Sequence, residues 1–218
     1  MIEAGDSVAV ALSGGKDSGA LLYILELFRR HAPFDFALQA IYVDLGWPVD
    51  PVLMQRYTES LQIPLYIEKT AIARIVFERR QETNPCALCA KLRRGALHQA
   101  ALGLGANKVA LGHHLDDAIE TFLLNLIYTG DFNTFKPRTH LDRVGLYLIR
   151  PLIQLPGQTL ASLARRENIP IIDNPCPVNN QTKRQEMAEL VSELSFRFPD
   201  LRQKIRSAFL RSPLWPPE

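Results

Sequence analysis

Two groups of residues in this 218-residue chain combine types and spacings that can do chemistry. The first is Ser13-Gly14-Gly15-Lys16-Asp17-Ser18. Its glycines let backbone come close to a ligand, Lys16 adds a full positive charge, and the N–H groups of a helix starting here would point at an anion. The second is Cys86-Ala87-Leu88-Cys89, with Cys176 following 87 positions after Cys89. A Cys-x-x-Cys pair holds a metal, forms a redox disulfide, or only fills space. Cys176 stands between Pro175 and Pro177 in the stretch Asp173–Pro177, and the prolines favour a rigid, non-helical loop able to carry a ligand. Three cysteines in a chain with no secretory signal pattern argue against a disulfide framework and for metal or sulfur chemistry.

Two further segments belong with the glycine loop: Asp44-Leu45-Gly46 and Gly112-His113-His114-Leu115-Asp116-Asp117. Asp116 and Asp117 suit the first turn of a helix, where the dipole favours acids. Beside a phosphate loop the same carboxylates are also hard oxygen ligands for Mg²⁺. His113 or His114 either packs at a strand end, donates to phosphate, or stabilises a leaving pyrophosphate.

The elements that must position these residues follow from hydrophobic period. Ser7–Leu12 is an apolar run ahead of the glycine loop, and Leu21–Phe28 after it is amphipathic, so the loop joins a buried strand to a helix. Phe36–Val43, Ile63–Glu68 and Lys108–Gly112 read as further strands, and Ile169–Ile172 as a short one. Asp50 caps a helix with Pro51 at its first position, running to about Leu61. Another helix follows Asp117, with Ile119, Phe122, Leu123, Leu126 and Ile127 on one face. The cysteine pair stands just before a helix, and more helices are expected near Gln158–Glu167, Arg184–Phe196 and Asp200–Leu210. Strands alternating with helices predict an α/β fold, a doubly wound parallel sheet with ligands at the carboxyl ends of its strands. All three polar segments fall at such ends.

A hydrophobic content of 47% and a charged content of 22% are globular values, and the length suits one domain with a small appendage. No apolar stretch reaches membrane-spanning length, which predicts a cytoplasmic protein without a membrane partner. A net charge of +2 does not by itself demand nucleic acid. From Arg150 onward, however, ten Lys and Arg face seven Asp and Glu, and Lys183 and Arg184 open a basic helical stretch that RNA phosphates could use.

The nucleoside-triphosphate loop with Gly, four residues, then Gly-Lys-Ser/Thr is excluded, because Val10 stands at the first glycine position and Asp17 follows Lys16. Ser13–Ser18 resembles instead the PP-loop of the ATP pyrophosphatases, which cleave ATP between the α and β phosphates. Taken with Cys86–Gly95, Ala110–Asp117, Glu120-Thr121, Asn125, Ile149–Leu152 and Cys176, the sequence resembles the TtcA family of tRNA 2-thiocytidine synthetases. The likeness runs from about Val8 to Phe209.

That resemblance implies a PP-loop fold (adenine nucleotide alpha hydrolase-like) over residues 1–178, with a helical C-terminal segment, 179–218, that contacts RNA. It implies adenylation of the C2 oxygen of a tRNA anticodon-loop cytidine by Mg-ATP, then replacement of that oxygen by sulfur. ATP would lie against Ser13, Gly14, Gly15, Lys16, Asp17, Ser18, Asp44, Gly112 and His113. Lys16, Asp17, His114 and Asp117 would carry the chemistry, and Asp17, Asp116 and Asp117 would hold Mg²⁺. Cys86, Cys89 and Cys176 would hold a [4Fe–4S] cluster with one iron open to sulfide. Arg93, Arg94, Lys183 and Arg184 would meet RNA. The partners implied are tRNA and a sulfur donor, a cysteine desulfurase or inorganic sulfide, and the sequence is compatible with a homodimer. The competing enzyme is a lysidine-synthetase-like ligase, which leaves the cysteines without a task. The competing non-enzyme is an ATP-binding module with a structural zinc site.

Overall fold

The computed structural model describes residues 1–80, 85–172, 175–178 and 183–216. Asp173, Asn174 and the start of the segment expected from 179 lie outside the described residues. In chain order the elements are β1 (Ser7–Ala11), α1 (Lys16–His31), β2 (Ala37–Asp44), α2 (Val52–Ser60), β3 (Leu65–Lys69) and α3 (Ile72–Arg74). A π-helical turn, Ile75–Arg80, continues α3. After it come α4 (Pro85–Gly103), β4 (Lys108–Ala110), α5 (Leu115–Tyr128), β5 (Arg138–Leu141), β6 (Leu146–Ile149), α6 (Gly157–Arg166), α7 (Lys183–Arg197) and α8 (Leu201–Leu210).

The six strands lie in the order β3-β2-β1-β4-β6-β5, parallel except for β5 at the edge. β1 is apolar without alternation because both its faces are covered. Val8 and Val10 pack under α1 and α6 with Leu21, Leu22, Leu160 and Ala164, whereas Ala9 faces α4 through Leu97 and Ala101. After β1 the chain builds outward to β2 and β3, then returns to add β4 on the other side. The ends of β1 and β4 therefore diverge into the crevice where such sheets bind ligands. A third apolar cluster joins α5, α7 and α8 to Ile153, Leu214 and Trp215, whose indole N–H donates to the Phe135 carbonyl at 3.1 Å.

Three local expectations are corrected, and one pair of strands is new. Ile169–Ile172 is not a strand: Pro170 removes a ladder donor, and the segment crosses the glycine loop, with the Ile172 N–H donating to the Gly14 carbonyl at 2.9 Å. The β5–β6 hairpin was not foreseen, since Arg138-Thr139-His140-Leu141 shows no apolar alternation. Cys86 and Cys89 lie inside the first turns of α4 rather than ahead of it. Leu126 and Ile127 are 43% and 54% exposed, because α5 outruns the cluster that buries Ile119 and holds Phe122 and Leu123. The helix expected at Asp50 is α2, with the Asp50 carboxylate accepting from the Val52 N–H at 2.9 Å.

Candidate active site

The glycine loop is held by its own two serines. Ser18 Oγ accepts from the Ser13 N–H at 3.0 Å, donates to the Gly15 carbonyl at 2.9 Å, and lies 3.0 Å from Ser13 Oγ. Gly14 turns the chain at φ +84°, a conformation that side chains resist. Gly15 precedes α1 without any side-chain cap, so the first N–H groups of a 16-residue helix are left for a ligand. Lys16 Nζ meets the Asp17 carboxylate at 2.6 and 2.8 Å.

Gly112 closes the other side of the crevice. A Cβ there would lie 3.0 Å from the Asp17 carbonyl carbon and the Ser18 nitrogen, so glycine is what lets the end of β4 rest on the loop. His114 then caps α5 reciprocally: its Nδ1 accepts from the Asp117 N–H at 3.4 Å, and Asp117 Oδ2 accepts from the His114 N–H at 2.9 Å. With Nδ1 as acceptor the imidazole proton sits on Nε2, the nitrogen 3.7 Å from Asp17 Oδ2. His114 thus stands at the start of α5 beside the glycine loop.

Asp116 uses both of its oxygens. Oδ2 accepts from the Gly157 N–H at 2.7 Å and Oδ1 from Arg202 Nε at 2.5 Å, which joins α5 to α6 and α8. Burial opposes its charge, but the Gly157 N–H and Arg202 outweigh burial and hold the carboxyl below its ordinary value. His113 is different: burial pulls its imidazole down to about 4, against the Asp117 carboxylate, so it is neutral and stacks 4.8 Å from Phe135. Its Nδ1 is buried and has no partner among the described residues. Asp44 ends β2 in a turn, its carboxylate accepting from the Gly46 N–H at 2.8 Å.

Beyond β2 and α5 opens a cavity of about 430 Å³. Cys86, Cys89 and Cys176 all line it, so the fold gathers three thiols separated in sequence. Burial pushes the Cys89 thiol up, Arg93 pulls it back, and Cys176 and Cys86 push it further, so the sulfurs feel one another's charge. Among the described residues no three His, Cys, Asp or Glu side chains converge as a single metal ion would require. Arg93 and Arg184 also line the cavity, whereas Arg94 is exposed and Lys183 is paired with Glu186 at 2.8 Å.

Three cavity residues had no role in the sequence reading: Glu120, Trp47 and Phe77. Glu120 was visible only as part of a motif, and Trp47 only as the residue after Asp44-Leu45-Gly46. Nothing in the pattern marked Phe77. Burial first and Asp117 second push the Glu120 carboxyl up to about 7, against Arg184.

Residues 3–193 match the PP-loop domain family. A tRNA-cytidine(32) 2-sulfurtransferase of Pelobacter propionicus is 40% identical over 212 residues, which are 95% of this chain and 79% of the relative. The chain belongs to the tRNA-cytidine(32) 2-sulfurtransferase family. A second member, from Syntrophotalea carbinolica, is 40% identical over 95% of this chain and 82% of its own. The fold of this sulfurtransferase-family chain is similar to that of the U34-tRNA thiolase NcsA from Methanococcus maripaludis, solved with its [4Fe–4S] cluster. The TM-score is 0.78 at 23% identity, covering 96% of this chain and 72% of that one. A phosphoadenylyl-sulfate reductase from Candida auris shares less of the fold, with a TM-score of 0.51 at 15% identity over 76% of this chain and 74% of that one.

Proposed function

We propose that this chain uses Mg-ATP to adenylate O2 of a cytidine in the tRNA anticodon loop and then replaces that oxygen with sulfur. The observation that carries the reading is the meeting of two sites on one helix. At the start of α5 His114 stands beside the glycine loop, and one turn on Glu120 faces the cavity of the three cysteines.

The residues divide the work. Ser13–Ser18 and the start of α1 offer N–H groups to the phosphates, and Lys16 exchanges Asp17 for a phosphate oxygen. Asp44, Gly112 and His113 shape the nucleotide end of the crevice. The base's O2 attacks the α-phosphorus and pyrophosphate leaves. His114 Nε2–H, turned to this side of α5, supports charge on the departing oxygens. Asp17 and Asp117 would hold Mg²⁺, which when bound neutralises phosphate charge. Asp116, engaged by Gly157 and Arg202, positions the helices around them. Hydrosulfide then adds to C2, AMP leaves with the former O2, and one proton is lost. Sulfur enters at the sulfide level, so the exchange needs no oxidant.

The donor set suits a soft metal group. Three thiols share one cavity, Arg93 offsets their charge, and a cube-shaped cluster spreads its thiolate corners wider than a single tetrahedral ion does. Cys86, Cys89 and Cys176 would hold a [4Fe–4S] cluster, which when bound supplies an iron with one position open to sulfide.

Arg93, Arg94 and the C-terminal segment 179–218, with Lys183 and Arg184, are assigned to RNA contact, with residues 1–178 as the catalytic unit. Inorganic sulfide, or a cysteine desulfurase whose persulfide sulfur a thiol reductant releases as sulfide, is the proposed sulfur source, a homodimer the proposed assembly, and the cytoplasm the proposed compartment. Among the described residues no helix is long and apolar enough to cross a membrane. Mass spectrometry of tRNA nucleosides from cells lacking the protein tests the activity, and loss of 2-thiocytidine is expected. An unchanged 2-thiocytidine peak overturns it. Colourless protein with stoichiometric zinc would overturn the cluster assignment alone.

A further inference from the structure

The lining of the cysteine cavity combines apolar and polar groups. Trp47 and Phe77, with ring centroids 5.6 Å apart and planes inclined by 52°, line it with Leu45 and Ala73 as apolar members. The thiols, Arg93, Arg184 and Glu120 are its polar members. A volume near 430 Å³ is within the range of about 300–1,000 Å³ typical of small-molecule sites. A planar, apolar-faced ligand with polar edges fits such a space. An unstacked nucleobase is one, since RNA bases are read by stacking on aromatic side chains and hydrogen bonding at their edges.

Glu120 is the unusual member. Its side chain is only 14% exposed, and its one ion contact among the described residues is Arg184 Nε at 3.8 Å. That guanidinium's Nη2 donates to Thr121 Oγ1 at 2.8 Å. Among the described residues the Glu120 carboxylate accepts no hydrogen bond, and it lines the cavity, where a ligand can supply the donor.

Cytosine and uracil differ at this edge. Cytosine presents an exocyclic N4–H₂ donor where uracil presents the O4 acceptor, and a carboxylate accepts from the first and repels the second. The chemistry adds a second distinction. When O2 of cytosine bonds to the α-phosphorus and the bond to pyrophosphate breaks, no N3 proton is available to leave. The adenylated base therefore carries one positive charge shared among its ring nitrogens and N4. A carboxylate at N4–H meets charge that develops only during the reaction.

We infer that Glu120 determines the base specificity of the cavity: its carboxylate accepts the N4–H of the target cytosine, which lies against Trp47 and Phe77, and excludes uracil. This rests on the thiolation reading above.

The test uses the full chain at pH 8.5, where Glu120 is ionised, and two anticodon stem-loop RNAs that differ only in C or U at the target position, with pyrophosphate release measured for each. Wild type should favour the C hairpin at least 100-fold in kcat/KM. Glu120→Gln, whose amide offers both an acceptor and a donor, should lower that ratio below about 10, because a well-made edge contact discriminates by about 5- to 150-fold. The loss on C should fall on kcat, with KM for ATP unchanged, since the charge it meets is absent from the ground state. A purely structural Glu120 would instead lower C and U activity together. Trp47→Ala should weaken binding of both hairpins about 10-fold and leave the C-to-U ratio intact. Quenching of tryptophan fluorescence on adding the C hairpin, absent in Trp47→Ala, reports base entry without turnover, and Glu120→Gln should retain it. A wild-type enzyme inactive on both hairpins defeats the thiolation reading. Normal wild-type preference with an unchanged ratio in Glu120→Gln defeats only the role of Glu120.

Discussion

Lys16 and Asp17 hold each other at 2.6 Å with side chains 36% and 29% exposed. So open a pair contributes at most about 1 kcal/mol, and a triphosphate can take the ammonium from the carboxylate at little cost. Lys16→Ala should therefore lower pyrophosphate release at least 100-fold while the melting temperature stays within about 2 °C. Undiminished pyrophosphate release would remove Lys16 from the nucleotide site. Glu120 makes a prediction of opposite kind. Its folded-state value of about 7 lies above the ordinary 4.5, so between these pH values the folded chain holds a proton that the unfolded chain has lost. Stability from this group is complete below about pH 4.5 and is lost as pH rises through about 7. Glu120→Gln should leave stability nearly unchanged at pH 4.5 and raise it by up to about 3 kcal/mol at pH 8.5. Urea unfolding at the two pH values is the measurement. A difference that does not change with pH would mean that the carboxyl titrates normally.

At the scale of elements, the crevice depends on contacts too close for a side chain. Gly112 lets the end of β4 rest on the backbone of Asp17 and Ser18, atoms that belong to the start of α1 and cannot swing aside. Gly112→Ala should push the loop outward, costing about 1–3 kcal/mol of stability and weakening ATP binding about 10-fold or more. Calorimetric titration with a non-hydrolysable ATP analogue checks this, and unchanged affinity would show that the loop adapts. The contact also explains which parts of the site could be read from sequence. Ser13–Ser18 was legible because strand, glycines and helix are adjacent in the chain, so local period and turn chemistry define them. Asp116 was legible as an acid at a helix start, but its partner Arg202 is 86 residues away and follows from how α8 packs. β5 was missed for a similar reason. Arg138-Thr139-His140-Leu141 is a strand because β6 offers it an edge, not because its own residues alternate.

For the whole molecule, the decisive arrangement is the route by which Cys176 reaches the other two thiols. Cys86 and Cys89 share the first turns of α4, so one local element carries both. Cys176 arrives along the segment after α6, which crosses the glycine loop and donates from Ile172 N to the Gly14 carbonyl at 2.9 Å. Ile169 packs there over Gly19, where a Cβ would come within 2.5 Å of Ile169 Cγ2. The same segment therefore covers the nucleotide loop and, four residues after Ile172, presents the third thiol. It was misread as a strand because its apolar residues serve this covering role instead of a sheet. The tie to the glycine loop runs through the Ile172 backbone and the packing of Ile169. Cys176→Ala should thus spare the nucleotide site and remove the metal site. After anaerobic reconstitution, wild type should hold about four irons per chain and Cys176→Ala well under one, because two thiolates from one helix cannot retain a cluster alone. ATP affinity should stay within about 2-fold, and 2-thiocytidine should fall below detection. If Cys176→Ala kept its iron and its thiolation, sulfur would have to pass through Cys86 and Cys89 as a persulfide or disulfide pair. The cavity would then be a redox site, and the third cysteine only part of its wall.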